Sequence, residues 1–417
     1  MTELAMRAAR ARSVLRERFG FRDFRPGQRR AVQAALAGRD ALVVLPTGGG
    51  KSVCYQVPAL VLDRLTVVVS PLISLMQDQV GAACARGLPA AALTSAQSYR
   101  EREAILAEAR SGGVRILYVA PERLATGAMI GALRAGGVGL LAVDEAHCVS
   151  EWGHDFRPAY RQIGLVRRAL GMPPTLALTA TATPAVRDDI AVSLRLRGAE
   201  RIVGSFDRPN LRLGAARIPD DDERRRRLLA LLRPSRGAAL VYVPTRRSAE
   251  RWTRSLWHAG VAAAPYHAGL EHSLRRGVQD DFLADRVECV VATCAFGMGI
   301  DKPDVRTVVH LGLSTSLEAY YQEAGRAGRD GRPARCEVLW TMGDLRLQRI
   351  LVPEPRKRDP LIRYLTSFGC RRATLLRHFG EHRSACGKCD RCERWERLWG
   401  RLGGRRADGR RTAASMP

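Results

Sequence analysis

The sequence predicts an α/β protein: two tandem parallel-sheet domains followed by a small helical metal-binding module. Three observations carry this expectation. Strand-length apolar runs alternate with Ala/Arg/Leu-rich helical stretches in two separate series. The runs are continuously apolar rather than alternating, as in strands covered on both faces by helices. Beyond residue 345 the rhythm stops, and four cysteines fall between 370 and 392. A chain of 417 residues also exceeds one core, given roughly 100–200 residues per domain.

The first series comprises ALVVL (41–45), LTVVVS (65–70), VRILYVA (114–120), GLLAV (139–143) and TLALT (175–179). A seam follows near 205–225, where Asp220 to Glu223 each have an arginine four residues on, as at a solvated helix start. The second series is AALVYV (238–243), VECVVAT (287–293), VRTVVHL (305–311) and ARCEVLW (334–340). Pro353, Pro355 and Pro360 then bracket a basic linker, and a helical stretch leads into the cysteines. From 353 to the end, 17 basic residues face 7 acidic ones, and the last 25 residues are too polar to build a core.

Composition narrows the function classes. Hydrophobic content of 46% and charged content of 26% are those of a globular protein. No run of 18 apolar residues occurs and the Arg-rich start lacks an apolar segment, so neither a membrane span nor a signal peptide is expected. The net charge of +26 carries more weight. Coding bias toward arginine explains why only four of the 68 basic residues are lysine, but not their excess over acids. Such a surplus predicts attraction to a polyanion, above all nucleic acid.

The motifs specify chemistry. ALVVL runs into Pro46-Thr47-Gly48-Gly49-Gly50-Lys51-Ser52 and then a helical pattern. A glycine-rich turn lets backbone N–H groups wrap a phosphate, the lysine neutralises its oxygens, and the serine hydroxyl ligates magnesium. The full pattern has glycine where this chain has Leu45. Some 90 residues on, GLLAV ends in Asp144-Glu145-Ala146-His147. The first carboxylate suits Mg²⁺ and the second suits activation of the attacking water. Phosphate cradle plus acidic pair points to hydrolysis of a nucleoside triphosphate.

The second series contributes Gln322-Glu-Ala-Gly-Arg326-Ala-Gly-Arg329. Arginines three apart are expected on one helical face, reaching a cleft between the domains to stabilise phosphoryl charge. Immediately after the acids, Trp152, Phe156 and Tyr160 interleave with His154 and Arg157, a pattern for stacking bases and contacting phosphates. Cys370, Cys386, Cys389 and Cys392 can complete a tetrahedral zinc shell; an iron–sulfur cluster is the alternative, and His378 and His382 are competing ligands. A structural ion that supports folding of the module is the favoured reading.

These residues resemble a known family. Pro46–Ser52, the box at 144–147, Thr179–Thr181 and Gln322–Arg329 resemble motifs I, II, III and VI of superfamily 2 helicases. More narrowly, the chain resembles the RecQ DNA helicases at Phe24–Gln28, VVVSPLISLMQDQV (67–80), CVSEWGHDFRPAY (148–160), YHAGL (266–270) and ATCAFGMGIDKPDVR (292–306). The match spans about residues 12 to 392. It implies RecA-like domains at 1–205 and 206–345, a helical zinc-binding module at 346–392 and a flexible basic tail at 393–417.

The resemblance assigns roles at matching positions. Phe21, Arg25 and Gln28 form the adenine-recognition element, with Thr47, Gly48, Gly49, Gly50, Lys51 and Ser52 on the phosphates and Mg²⁺ held by Ser52 and Asp144. His147 and Gln322 link the nucleotide to the DNA side, and Arg329 is the arginine finger beside Arg326. The implied activity is ATP-dependent 3′–5′ DNA unwinding in repair or recombination, in a bacterial, nucleoid-associated cytoplasmic setting. Expected partners are single-stranded and duplex DNA and a single-strand-binding protein, with the chain itself a monomer and no membrane. Many family members continue into a winged helix and a helical C-terminal domain; with 25 residues after Cys392 a short form is expected, its basic tail with Trp395 and Trp399 serving as a DNA contact. Two alternatives stand: a translocase or strand-annealing protein with little unwinding, and an RNA helicase, against which residues 148–160 argue.

Overall fold

The computed structural model describes residues 2–94, 97–233, 237–297 and 302–401, the side chains of 74 and 399–401 excepted. The first sheet contains β1 (Ala41–Val44), β2 (Leu65–Val69), β3 (Ala90–Leu93), β4 (Ile116–Val119), β5 (Val138–Val143), β6 (Thr175–Thr179) and β7 (Glu200–Val203). Its order is β3-β4-β2-β5-β6-β1-β7, with every pairing parallel. The second sheet contains β8 (Leu211–Arg217), β9 (Ala239–Tyr242), β10 (Ala263–Tyr266), β11 (Cys289–Ala292), β12 (Thr307–His310) and β13 (Ala334–Trp340), ordered β10-β11-β9-β12-β13-β8 and again parallel.

The nine apolar runs are the nine interior strands. The four strands that the runs do not mark, β3, β7, β8 and β10, are the four sheet edges. An edge strand has one neighbour and more solvent, so ERIV and LRLGAAR can carry charge, and AAAL and AAPY can be built mainly of small residues.

A buried ion pair braces the first domain at the end of its sheet away from the nucleotide loop. Arg167 Nη2 lies 2.6 Å from both oxygens of Asp40, whose carboxylate also accepts from the Thr175 and Arg197 backbone N–H groups. In the second domain, Asp220 caps the helix Asp221–Leu232. Arg224 departs from the expected solvated helix start: it is buried and pairs with Asp344 on the helix Met342–Leu351.

The third unit consists of the helices Pro355–Thr366, Arg371–His378 and Asp390–Arg401. The last corrects the flexible tail expected from 393, because residues up to 401 continue a helix. Glu393 clamps Arg212 at 2.6 Å and the Trp395 indole N–H donates to Phe368 O at 3.4 Å, which fixes this stretch on the body. Residues 402–417 of that tail, and 298–301 of the family-like segment, lie outside the described residues. One apolar core runs from the first sheet through Phe206 to the second sheet and on to Leu361, Tyr364 and Phe379 of the third unit.

Candidate active site and zinc centre

Both sheets present the C-terminal ends of their strands to one cleft, the position where parallel α/β sheets bind ligands. From β1 the chain turns through Leu45–Ser52 into the helix Val53–Val61. Leu45, the departure from the glycine pattern, is a buried anchor: a Cβ at Gly27 would come within 2.7 Å of its Cδ2. Gly50 has φ +71°, and a Cβ there would lie 2.4 Å from Gln28 Nε2. Lys51 Nζ rests 3.4 Å from Leu45 O, and the Ser52 hydroxyl makes no cap hydrogen bond.

The residues expected to recognise adenine lie against this loop. Arg25 Nη1 donates to Gly48 O at 2.9 Å, and Gln28 Nε2 donates to Gly49 O and Gly50 O at 3.0 and 3.2 Å. Gln28 Oε1 accepts from the Arg25 N–H, so both ends of the amide are engaged by backbone. Phe21 is 51% exposed and free of the core.

β5 delivers the acids. Burial, then the adjoining Glu145 charge, push the Asp144 carboxyl up to about 6 against the pull of Lys51. Glu145 ends the strand with φ +47°, a left-handed conformation that costs a non-glycine residue about 1–3 kcal/mol. Burial would raise its carboxyl, but the close approach of His147 holds it below the usual carboxylate range. His147 Nδ1 bonds Thr179 Oγ1 at 2.8 Å and sits 3.3 Å from Glu145 Oε2, a buried oxygen that has no hydrogen bond. An orphaned carboxylate oxygen beside a reluctant second carboxylate and an uncommitted hydroxyl fits Mg²⁺ and its water.

From Cys148 the chain folds back on the acids. The Arg157 N–H bonds Cys148 O at 2.9 Å, and the buried Tyr160 donates to Asp144 O at 3.1 Å, so Tyr160 is a strut rather than the base-stacking surface expected. His154 stacks on His147 with ring centroids 4.3 Å apart; burial and the His147 charge lower it to about 4. Arg157 is committed to Asp155 and to Pro71 O. Phe156 is half-buried beside Arg161, whereas Trp152 is 53% exposed, with the Arg356 guanidinium 4.3 Å from its ring centroid.

The second domain closes the cleft. Gln322 Nε2 donates to Thr181 Oγ1 across it at 3.0 Å. A Cβ at Gly48 would lie 3.8 Å from Arg329 Cγ, so Arg329 runs along the phosphate loop. Arg326 turns the other way, to Gly297 O in its own domain. The two arginines do not share a helical face as expected. The helix Leu317–Ala324 stops first, and Gly325, Gly328 (φ +55°) and Gly331 (φ +82°) make the rest a turn.

The four cysteines converge. Cys370 caps the helix Arg371–His378, Cys386 and Cys389 lie on a loop, and Cys392 lies in the first turn of Asp390–Arg401. Their sulfurs stand 3.4 Å (Cys389–Cys392), 3.9 Å (Cys370–Cys389) and 4.0 Å (Cys386–Cys392) apart. A tetrahedral ion with Zn–S of about 2.3 Å places its sulfurs about 3.8 Å apart, so the set fits a single zinc and leaves no room for a cluster. His378 is spoken for by Glu318 at 2.7 Å. The site is a structural zinc centre.

Sequence reasoning missed the residues that hold these groups. Arg208 and Asn210 bind the arginine turn, and Asp207 and Phe206 bind the zinc module. They lie in a short linker without periodicity; the cluster of polar residues between two strands was the one available signal.

Two parallel sheets meeting over a phosphate loop, an acidic pair and a cross-cleft arginine define the class, a two-domain helicase core. Residues 25–190 match the DEAD/DEAH box helicase family, 223–331 the helicase conserved C-terminal domain, and 354–393 the RecQ zinc-binding domain. The ATP-dependent DNA helicase RecQ of Haemophilus influenzae is 44% identical over 393 residues, covering 92% of this chain and 63% of that protein. Its counterpart in Bacillus subtilis is 41% identical over 396 residues, covering 92% and 67%. The helicase Lhr of Mycobacterium smegmatis, solved with ssDNA and AMP-PNP, shares the fold at TM-score 0.61 and 23% identity, over 81% of this chain and 50% of that one. The chain belongs to the RecQ family and spans about two thirds of the length of these curated relatives.

Proposed function

We propose that the chain is an ATP-dependent DNA helicase that moves 3′ to 5′ on single-stranded DNA and separates duplex in repair or recombination. One observation carries this reading: Arg329 of the second domain lies on Gly48 while Gln322 grips Thr181, so the hydrolytic groups are complete only when the domains close. The family supplies DNA as substrate and the polarity. The charge of +26 suits the polyanion.

ATP enters with its phosphates on the Thr47–Ser52 turn, where Lys51 neutralises the outer oxygens and Phe21 stacks on the adenine. Gln28 exchanges its loop carbonyls for the adenine edge, which offers one donor and one acceptor. Ser52 and Asp144 are the residues that would hold magnesium, which would supply positive charge to the phosphates. Glu145 orients the attacking water and takes its proton, and His147 keeps that carboxylate ionised. Arg329 stabilises charge on the transferring phosphoryl group. When product leaves, loss of the Arg329 and Gln322 contacts opens the cleft, and alternating grip on DNA converts the cycle into steps.

DNA contact reaches the acids over a short route. Trp152 is exposed for stacking on a base, and two residues on, His154 stacks on His147, which holds Glu145. Arg356 over the Trp152 ring brings the zinc module to the same place. Among the described residues no helix is long and apolar enough to cross a membrane. We take the chain to act as a monomer in the bacterial cytoplasm, on nucleoid DNA coated by a single-strand-binding protein.

The test is ATP-dependent unwinding of a 3′-tailed duplex, with a 5′-tailed duplex as control and Glu145→Gln as blank. Unwinding confined to the 3′ tail supports the reading. DNA-stimulated hydrolysis with no strand separation would replace it with a translocase. Stimulation by RNA but not by single-stranded DNA would make the chain an RNA motor.

A further inference from the structure

In the segment between β7 and β8, residues 204–210, Ser205, Phe206, Asp207, Arg208 and Asn210 each bond to groups outside both sheets. On one side it faces the zinc module. Ser205 Oγ and the Phe206 N–H both donate to Glu381, at 2.7 and 2.9 Å. The Phe206 ring stacks on Phe379 at 4.4 Å and 4°, and Asp207 pairs with Arg372 at 2.6 Å. On the other side it faces the arginine turn. Arg208 Nη1 donates to Gly325 O at 3.0 Å, and its Nη2 donates to Ala327 O and Gly328 O, both at 2.9 Å. Asn210 Nδ2 adds bonds to Gly328 O and Arg332 O, also 2.9 Å each.

The turn needs this support. After Ala324 it belongs to no helix or strand, so several of its carbonyls lack ladder partners. The three carbonyls that Arg208 collects flank Arg326 and lead directly into Arg329. A guanidinium donating to three carbonyls fixes their relative positions more firmly than neutral bonds would, because each bond is charge-assisted. The Arg329 side chain then extends to the loop at Gly48.

We propose that Arg208 is a positioning residue for Arg329: it sets the backbone from which the finger projects, and through Asp207–Arg372 it ties that setting to the zinc module. The inference rests on the hydrolytic reading above and adds a residue to it. Arg208 touches neither nucleotide nor DNA in this scheme. Its loss therefore changes the rate of the chemical step and leaves ground-state binding alone.

The experiment is steady-state ATP hydrolysis at saturating single-stranded oligonucleotide by the full chain carrying Arg208→Met, Arg329→Ala or both. Arg208→Met is expected to lower kcat about 10- to 100-fold, with KM for ATP and Kd for DNA within about twofold of the unaltered protein. Arg208→Lys should recover part of the rate. On the Arg329→Ala background, Arg208→Met should cost nothing further, because two residues acting through one group are not additive. Asn210→Ala removes two neutral bonds from the same turn without disturbing a buried charge, and decides the matter should Arg208→Met fold poorly. It is expected to lower kcat about 3- to 10-fold with the same lack of additivity. Effects that multiply in the double variants, or that fall on KM alone, would overturn the proposal. If Arg329→Ala abolishes the rate while Arg208→Met and Asn210→Ala leave it untouched, the inference fails and the functional reading stands. Absence of DNA-stimulated hydrolysis in the unaltered chain would overturn both.

Discussion

The two sheets bring their C-terminal ends to one cleft but secure their catalytic loops by different means. In the first domain the groups hold one another. Gln28 and Arg25 bond the phosphate loop, Tyr160 bonds Asp144 O, and Thr179 fixes His147. In the second domain the arginine turn is held by its neighbours, the Gly328 N–H on Val305 O and Arg306 on Asp330, and in addition by Arg208 and Asn210 on the linker and, one step further, by the zinc module. The comparison teaches that the acid half of the site is preorganised within its own fold. The arginine half draws further support from parts that belong to neither sheet.

Five substitutions test this contrast. The largest effect is all-or-none. Cys389→Ser should take bound zinc from one per chain to none by elemental analysis, and melt the helices Arg371–His378 and Asp390–Arg401. If the contrast holds, nucleotide affinity of the first domain survives this change while hydrolysis does not. Next is Arg329→Ala, expected to lower DNA-stimulated kcat by about 10³-fold or more. Arg326→Ala, bonded within its own domain, should cost clearly less; equal losses would erase the distinction drawn between the two.

Arg167→Met tests the self-supporting half. It strands the buried Asp40 carboxylate, and urea unfolding should show a loss of about 3–5 kcal/mol. A loss below about 1 kcal/mol would mean that the first domain does not rely on this brace. Smallest is Trp152→Ala. One lost stacking platform is worth about 1–3 kcal/mol, so affinity for single-stranded DNA should fall while hydrolysis without DNA stays unchanged. A fall in the DNA-free rate would show that Trp152 supports the acids structurally.

Legibility followed the same division. The interior strands, the Thr47–Ser52 turn, the acidic pair and the four cysteines were readable because each is a contiguous pattern with a local physical cause. The edge strands were not, since their residues are either mainly small, as in AAAL and AAPY, or interrupted by charge, as in ERIV and LRLGAAR. The helical face expected for Arg326 and Arg329 failed because three-residue spacing says nothing where glycines stop the helix. Tyr160 and Trp152 are both aromatic and eight positions apart, yet burial makes one a strut and leaves the other on the surface.

The sequence by itself determined which chemistry the chain carries. Phosphate cradles, acidic pairs and metal shells are short segments whose residue types and spacing are dictated by the ligand's geometry. The tertiary structure decided which arginine reaches the phosphate loop, which aromatic ring faces solvent, and that the linker adds its support to the arginine turn. Those outcomes depend on contacts between residues more than a hundred positions apart, such as Arg208 with Gly325 and Gln322 with Thr181. Local pattern holds no information about such contacts, because packing and not periodicity brings their partners together.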